Sequence, residues 1–293
     1  MPLDGPIPAQ LLTLVAAATV FCVMFDLGLG IVPGEFRWVF RHPGLLARGL
    51  VAVLVAVPLL ALALVRAFDL PRGVEIGIVL MAISPGAPVA LRRSLGAGGH
   101  RAFAPALQML VATLATVSMP LSIAALNHLY SGRASVDPHD VARQVFVAQL
   151  LPLGLGIALN ALAPRVVARV EPILRRLATS LLVLLLVLVL IDIAPLLVET
   201  KTGAAGAIVA ITLLAAGVGH LLGGPDPATR TAVAVCAAAR NPGLALLVAT
   251  LNAAPVGVVA TIFAYLVFSA LTLIPYVAWS RRRAGRDREA PAA

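Results

Sequence analysis

Charge is scarce in this sequence. Only 12% of its 293 residues are Asp, Glu, Lys or Arg, while 60% are hydrophobic, and the mean hydropathy is +1.00. A water-soluble domain of this length needs far more polar surface, so the composition excludes one. Cysteine is scarce too: Cys22 and Cys236 both lie in apolar stretches. They imply neither a disulfide nor a metal site and read as small packing residues. No G-x-x-x-x-G-K-[ST] phosphate loop occurs, which argues against a nucleotide-driven pump. The five histidines are scattered at or near the ends of apolar runs. Neither H-E-x-x-H nor a Ser-His pairing can be assembled, and no enzyme is expected. The opening "MPLDGPIPAQ" lacks a basic n-region, and the apolar stretch after it is long enough to stay as a span, so no cleaved signal is expected. Lysine is almost absent, so arginine supplies nearly all of a net charge of +9. Those arginines sit in short loops beside apolar runs, as the positive-inside rule requires, and do not point to nucleic acid.

What is abundant is apolar sequence in runs of membrane-spanning length. Pro, Gly and charge clusters separate nine such runs, at 9–32, 45–68, 74–95, 103–130, 142–163, 174–198, 204–223, 228–251 and 256–280. The first loop carries Arg37, Arg41 and Arg48, the third Arg92, Arg93 and Arg101, the fifth Arg165, Arg169, Arg175 and Arg176. The tail "SRRRAGRDREA" is basic as well. "YSGRASVDPHDVAR" and "VETKTG" mix signs or are nearly neutral. All basic stretches fall on one side only if the number of spans is odd, which places the N-terminus outside and the C-terminus in the cytoplasm of an inner-membrane protein. Trp38, Trp279, Tyr130 and Tyr276 fall near span ends and read as interfacial anchors.

Two spans do not read as ordinary helices. The third contains "ISPGAPVALRR", with Ser84, Pro85, Gly86, Ala87 and Pro88 near its middle; the eighth contains "ARNPGLALL", with Arg240, Asn241, Pro242 and Gly243. Proline removes a donor and clashes with the preceding turn, and glycine tolerates the bend. Pro58, Pro120, Pro152, Pro195 and Pro275, without a glycine partner, read as simple kinks. The two Pro-Gly breaks lie five spans apart, so their helices run in opposite directions. That is the pattern of an inverted repeat, in which discontinuous helices build a site at the bilayer midplane of a secondary transporter.

At these stretches the sequence resembles the bile acid:sodium symporter family, over nearly the whole chain. "MFDLGLGIVPGEFRWVFRHPG" is similar to the family's glycine-rich entry to its first cytoplasmic loop. "VAVPLLALALVRAFDLPRGVEIGIVLMAISPGAP" is similar to its proline-bearing span and Pro-Gly-Gly break, with Ala87 for the second glycine. "CAAARNPGLAL" stands where the family has a glutamate, then Gln-Asn and a small residue. The resemblance implies an all-α fold with two broken, crossing helices. It divides the chain into a core domain (45–130 and 204–280), a panel domain (9–32 and 142–198) and a basic cytoplasmic tail (281–293).

The resemblance also implies two sodium ions held by oxygen ligands, and here this chain departs. The family's Ser-Asn pair becomes Ala90 and Leu91; its glutamate becomes Cys236 and its glutamine Arg240. Two hydroxyl positions fall on Ala104 and Gln108, and a second-span glutamine falls at or near Val53. Only Asn241 is kept. An Arg at mid-span costs roughly 2.5–3.5 kcal/mol on insertion scales, so it must face protein or water. Placed where a sodium would sit, its guanidinium can donate to carbonyls of both breaks and stand in for the ion, with donors left for a substrate carboxylate or sulfonate. The competing reading pairs Arg240 with Asp26 or Asp192, the other intramembrane charges. Asp192 is a candidate proton-coupling carboxylate or a partner for amides freed by Pro195; Asp26 lies near the cytoplasmic end of the first span. Gln108 and Gln149 either line the cavity or bridge helices, and His220 reads as interfacial.

The expectation is therefore a secondary transporter of an organic anion or amphipathic solute, needing no cofactor, with Arg240 replacing the bound cation. Two alternatives stand beside it: a sodium-coupled symporter using backbone carbonyl ligands, and a non-transporting membrane sensor of the same fold.

Overall fold

In hydrocarbon a backbone finds partners only within itself, and apolar runs without strand-like alternation satisfy that need as helices. The computed structural model describes residues 9–30, 38–129, 136–198 and 202–289, which form helices and short turns. In chain order they are α1 (Ala9–Leu29), α2 (Pro43–Ala67), α3 (Arg72–Ala82), α4 (Pro88–Gly96), α5 (Phe103–Leu129) and α6 (Pro138–Leu162). There follow α7 (Pro164–Val198), α8 (Thr202–Leu222), α9 (Pro227–Ala238), α10 (Pro242–Leu251) and α11 (Val256–Glu289). Among the described residues, six segments are long and apolar enough to cross a membrane: α2, α5, α6, α8, the α9–α10 pair and α11. The protein is therefore a multi-pass membrane protein.

Several helix starts are written in the sequence. Asp137, Asp226 and Asn241 each precede a proline, and each accepts a bond from a first-turn amide: His139 at 2.8 Å, Thr229 at 3.0 Å and Leu244 at 3.1 Å. The proline at the first helical position has no N–H to leave unsatisfied. Two mid-helix prolines do more than kink. Pro58 and Pro152 have no N–H to give, and the turns before them, Ala52–Ala56 and Phe146–Leu150, widen to an i→i+5 pattern.

α1 packs along α6 and α7, α8 along α9, and α3 along α11. Small residues make the closest contact. A Cβ at Gly28 of α1 would collide with the Leu153 carbonyl of α6, and one at Gly156 with the Phe25 carbonyl. The α9–α10 segment is almost wholly buried, unlike the other five long spans, so it is shielded from lipid by the rest of the chain.

Three features differ from the sequence reading. α7 starts at Pro164, ten residues before the apolar run, because an arginine-rich but helix-compatible stretch leads into it. The basic tail begins as a continuation of α11 through Glu289. Trp38, expected as an anchor, is half-buried against protein, its ring 4.2 Å from the rings of both His42 and His100. Tyr130 and the side chains of Pro88 and Asp192 lie outside the described residues.

Candidate functional site

The helix of the third segment stops after Ala82 and resumes at Pro88; that of the eighth stops after Ala238 and resumes at Pro242. Between the stops the chain is extended or turned, and Gly86 takes φ +84°, which an L side chain rarely adopts. The two breaks meet. The Asn241 N–H donates to the Ser84 carbonyl at 2.9 Å, a main-chain bond from one interruption to the other.

Arg240 fills the space beside that bond. It is 4% exposed, and its guanidinium donates to three backbone carbonyls: Val53 at 3.1 Å, Ala82 at 3.0 Å and Ala237 at 2.8 Å. Each acceptor has lost its ordinary helical donor for a reason in the sequence. In α2 the Val57 N–H turns to Ala52, and Pro58 has no N–H, which leaves Val53 bare. The break after Ala82 carries Gly86 away from the position that would serve the Ala82 carbonyl. The Asn241 N–H that would serve Ala237 is spent on Ser84. Two of the three acceptors sit at the C-terminal ends of α3 and α9, where the helix dipole is negative and favours a cation.

Arg240 thus lies where the two breaks meet, and its acceptors are Val53, Ala82 and Ala237. The expectation named carbonyls inside the breaks, near Ser84–Pro88 and Asn241–Gly243; the acceptors lie just ahead of the breaks and in α2. A helix that stops strips donors from the carbonyls four residues earlier, so orphans accumulate before the interruption. The pairing of Arg240 with Asp26 is not what the structure shows. Asp26, buried at the end of α1, lies 3.8 Å from Arg92 of α4 and 3.6 Å from Arg175 of α7, and Arg175 also pairs with Glu171. The sequence reading had missed this cluster. Its trace was the arginine density of the third and fifth loops.

The other positions surround the crossing. Gln108 donates to the Ala87 carbonyl at 2.8 Å and accepts from the Cys236 thiol at 3.5 Å, tying the first break to α9. Gln149, in the widened turn of α6, donates to the Ala112 carbonyl at 2.8 Å. A Cβ at Gly86 would sit 3.2 Å from Ala112 Cα and 3.4 Å from Gln149 Nε2. Ser84 bonds back to Leu80 within α3 at 2.6 Å. Ala90, Ala104 and Cys236 are buried, Leu91 packs at the edge of the apolar core, and His220 meets the Tyr276 hydroxyl at 2.9 Å, away from the breaks.

A cavity of about 390 Å³ opens beside the crossing. Its walls come from α1 (Thr19, Met24), the breaks (Ala87, Arg240 to Gly243), α7 (Leu182, Leu185) and α11 (Phe263, Ser269), with Arg93 at its border. The lining is largely apolar with a few polar groups, the usual composition of a small-molecule site. Among the described residues, Arg240 Nε and Asn241 Nδ2 are buried donors, and Gln149 Oε1 a buried acceptor, without a hydrogen-bond partner. The unspent groups on Arg240 and Asn241 themselves are thus donors, whereas a hard cation asks for oxygen acceptors. The side chains at the expected sodium positions (Ala90, Leu91, Ala104, Cys236, Arg240) supply no carboxylate or hydroxyl, and the Gln108 oxygen is engaged by Cys236.

A multi-pass helical protein whose two interrupted segments meet beside a cavity is the class this geometry defines. The chain belongs to the sodium bile acid symporter family, whose model matches residues 17–200. It is 25% identical over 248 residues to the uncharacterized sodium-dependent transporter YocS of Bacillus subtilis (strain 168), covering 81% of this chain and 74% of that one. It is 28% identical over 153 residues to the probable sodium/metabolite cotransporter BASS3, chloroplastic, of Oryza sativa subsp. japonica, covering 52% of this chain and 35% of that protein. The Arabidopsis thaliana protein of the same name is 27% identical over a stretch of the same length. The matched stretch spans about a third of those chloroplast relatives.

Proposed function

We propose that the chain is a secondary transporter of an organic anion or amphipathic solute, working by alternating access, with the Arg240 guanidinium in place of a bound cation. The observation that carries this reading is the guanidinium itself, donating to three carbonyls from three segments at the meeting of the breaks. An inverted repeat is supported by the matched dimensions of the interrupted segments, 11 and 9 residues in α3 and α4 against 12 and 10 in α9 and α10. Each pair is followed by a long helix with an internal proline, Pro120 in α5 and Pro275 in α11. The packing of α1 on α6 and α7 supports a panel of those three helices beside a core of the others. In this reading the chain crosses the inner membrane nine times, N-terminus outside. A cytoplasm-active reporter fused after Ala293 is then active, and one fused near Tyr130 is silent.

Substrate recognition follows from the lining: apolar walls for a hydrophobic body, and donor groups for a carboxylate or sulfonate. The test is uptake of labelled organic anions into proteoliposomes with sodium replaced by choline. Uptake that persists supports the tethered cation. Uptake that falls to background supports the second reading, a symporter holding sodium on backbone carbonyls, which the names of the relatives favour. Binding without flux under both conditions supports a sensor.

A further inference from the structure

A second concavity lies between α4 and α11, at the end of the apolar part of α11, with a volume of about 680 Å³. It is lined by Arg93, Arg281 and Arg282 and otherwise by apolar side chains, Leu271, Ile274 and Val277 among them. Leu271 and Ile274 are each 58% exposed; on a membrane-spanning helix that is a face turned to acyl chains. Arg281 and Arg282 sit just past the apolar run of α11, at headgroup level, and Arg93 of α4 reaches the same groove. Arg92 and Arg175 flank Asp26, Arg230 donates to the Gly224 carbonyl, and Arg283 lies over the Trp279 ring. Arg93, Arg281 and Arg282 have no ion pair or acceptor among the described residues, yet all three line one groove.

We propose that this groove is a binding site for an acidic phospholipid, its phosphate held by Arg93, Arg281 and Arg282 and its acyl chains laid along α11. The chemistry is complementary at both ends: planar, donor-rich cations match phosphate oxygens, and the apolar wall continues into the bilayer. A soluble phosphate meets only the first half of that surface, so the occupant is a lipid. The proposal requires the chain to lie in a bilayer but not to transport.

The test uses purified full-length protein in neutral detergent, with binding of phosphatidylglycerol followed by native mass spectrometry. Phosphatidylcholine and glycerol phosphate serve as comparisons. Phosphatidylglycerol is expected to be retained and the other two are not. A basic residue near an anionic membrane surface adds a factor of about five to its attraction, and one arginine–phosphate contact in the groove is expected to contribute the same order. Arg282→Gln, on an exposed side chain, should therefore weaken retention about fivefold, and Arg93→Gln/Arg281→Gln/Arg282→Gln on the order of a hundredfold. A control with the same charge change elsewhere, Arg165→Gln/Arg169→Gln/Arg176→Gln, should retain the lipid. The proposal is overturned if the control loses as much as the groove variant, if phosphatidylcholine binds equally, or if glycerol phosphate alone competes the lipid away. Unchanged retention in Arg282→Gln overturns it even if the triple variant fails to fold.

Discussion

The amide of Asn241 donates to the carbonyl of Ser84 at 2.9 Å, so the two broken segments are joined through main chain as well as through side chains. The same choice frees the Ala237 carbonyl, which Arg240 then takes at 2.8 Å. The residue that unwinds the helix and the residue that repairs the loss are neighbours in sequence. This economy makes the crossing sensitive to single substitutions, and each effect has a stated cause.

Arg240→Ala leaves three buried carbonyls without a donor, each worth about 1–3 kcal/mol. The variant should lose about 3 kcal/mol or more of stability, seen as a lower melting temperature in detergent. Arg240→Lys keeps the charge but not the fork that reaches α2, α3 and α9 together, and should fall between the two. An Arg240→Ala protein that melts with its parent would show that water or neighbouring groups serve those carbonyls equally well.

Pro58 and Arg240 should be energetically coupled although 182 positions separate them. In Pro58→Ala the ordinary ladder can close, and the Val53 carbonyl regains the Val57 N–H. Arg240→Ala should then cost about 1 kcal/mol less in the Pro58→Ala background than in the parent, within the range of interacting pairs. A double-mutant cycle on unfolding midpoints measures this, and strict additivity would mean that the Val53 contact carries no weight.

Gly28 and Gly156 hold α1 against α6 by backbone contact. Ala at either position places a methyl group against a carbonyl of the other helix, which should destabilise by about 1–3 kcal/mol. Gly154, two residues from Gly156 and facing open space, provides the control: Gly154→Ala should be neutral or slightly stabilising through helix propensity.

His100 caps α5. Its Nδ1 accepts from the Phe103 N–H at 3.1 Å, so the ring is neutral in the folded state. Burial pushes its pKa below the ordinary value, and His42 adds to this while Asp226 opposes it. Because the folded pKa is depressed, the contribution is fully present above about pH 6.5, the unfolded value, and is lost as pH falls below it toward the folded pKa. The melting temperature should therefore decline in that window, and His100→Asn, which caps without titrating, should flatten the decline. An equal decline in both proteins would assign the pH dependence to other groups.

The helical architecture was legible because apolar runs of spanning length leave the backbone few alternatives. The interruptions at Pro85-Gly86 and Pro242-Gly243 were legible because proline and glycine act locally, whatever packs around them. The partners of Arg240 were not. Finding them requires counting donors through three segments: the missing N–H of Pro58, the displaced Gly86, and an Asn241 amide committed elsewhere. Pro58 and Pro152 read as kinks for the same reason, since widening a turn by one residue leaves no mark on hydrophobic periodicity. The grouping of Asp26 with Arg92 and Arg175 brings together α1, α4 and α7, and no spacing along the chain encodes it.

The Arg240 contacts have a consequence in mass action. An ion drawn from solution strengthens its site by an amount that rises with its concentration and vanishes on dilution. A cation fixed by a covalent bond to the linker between α9 and α10 has no such concentration term; its effective molarity is set by the geometry of the chain. On the proposed reading, the bonds to Val53, Ala82 and Ala237 carry no dependence on sodium concentration, and the crossing is assembled when the chain folds rather than anew with each ion that arrives.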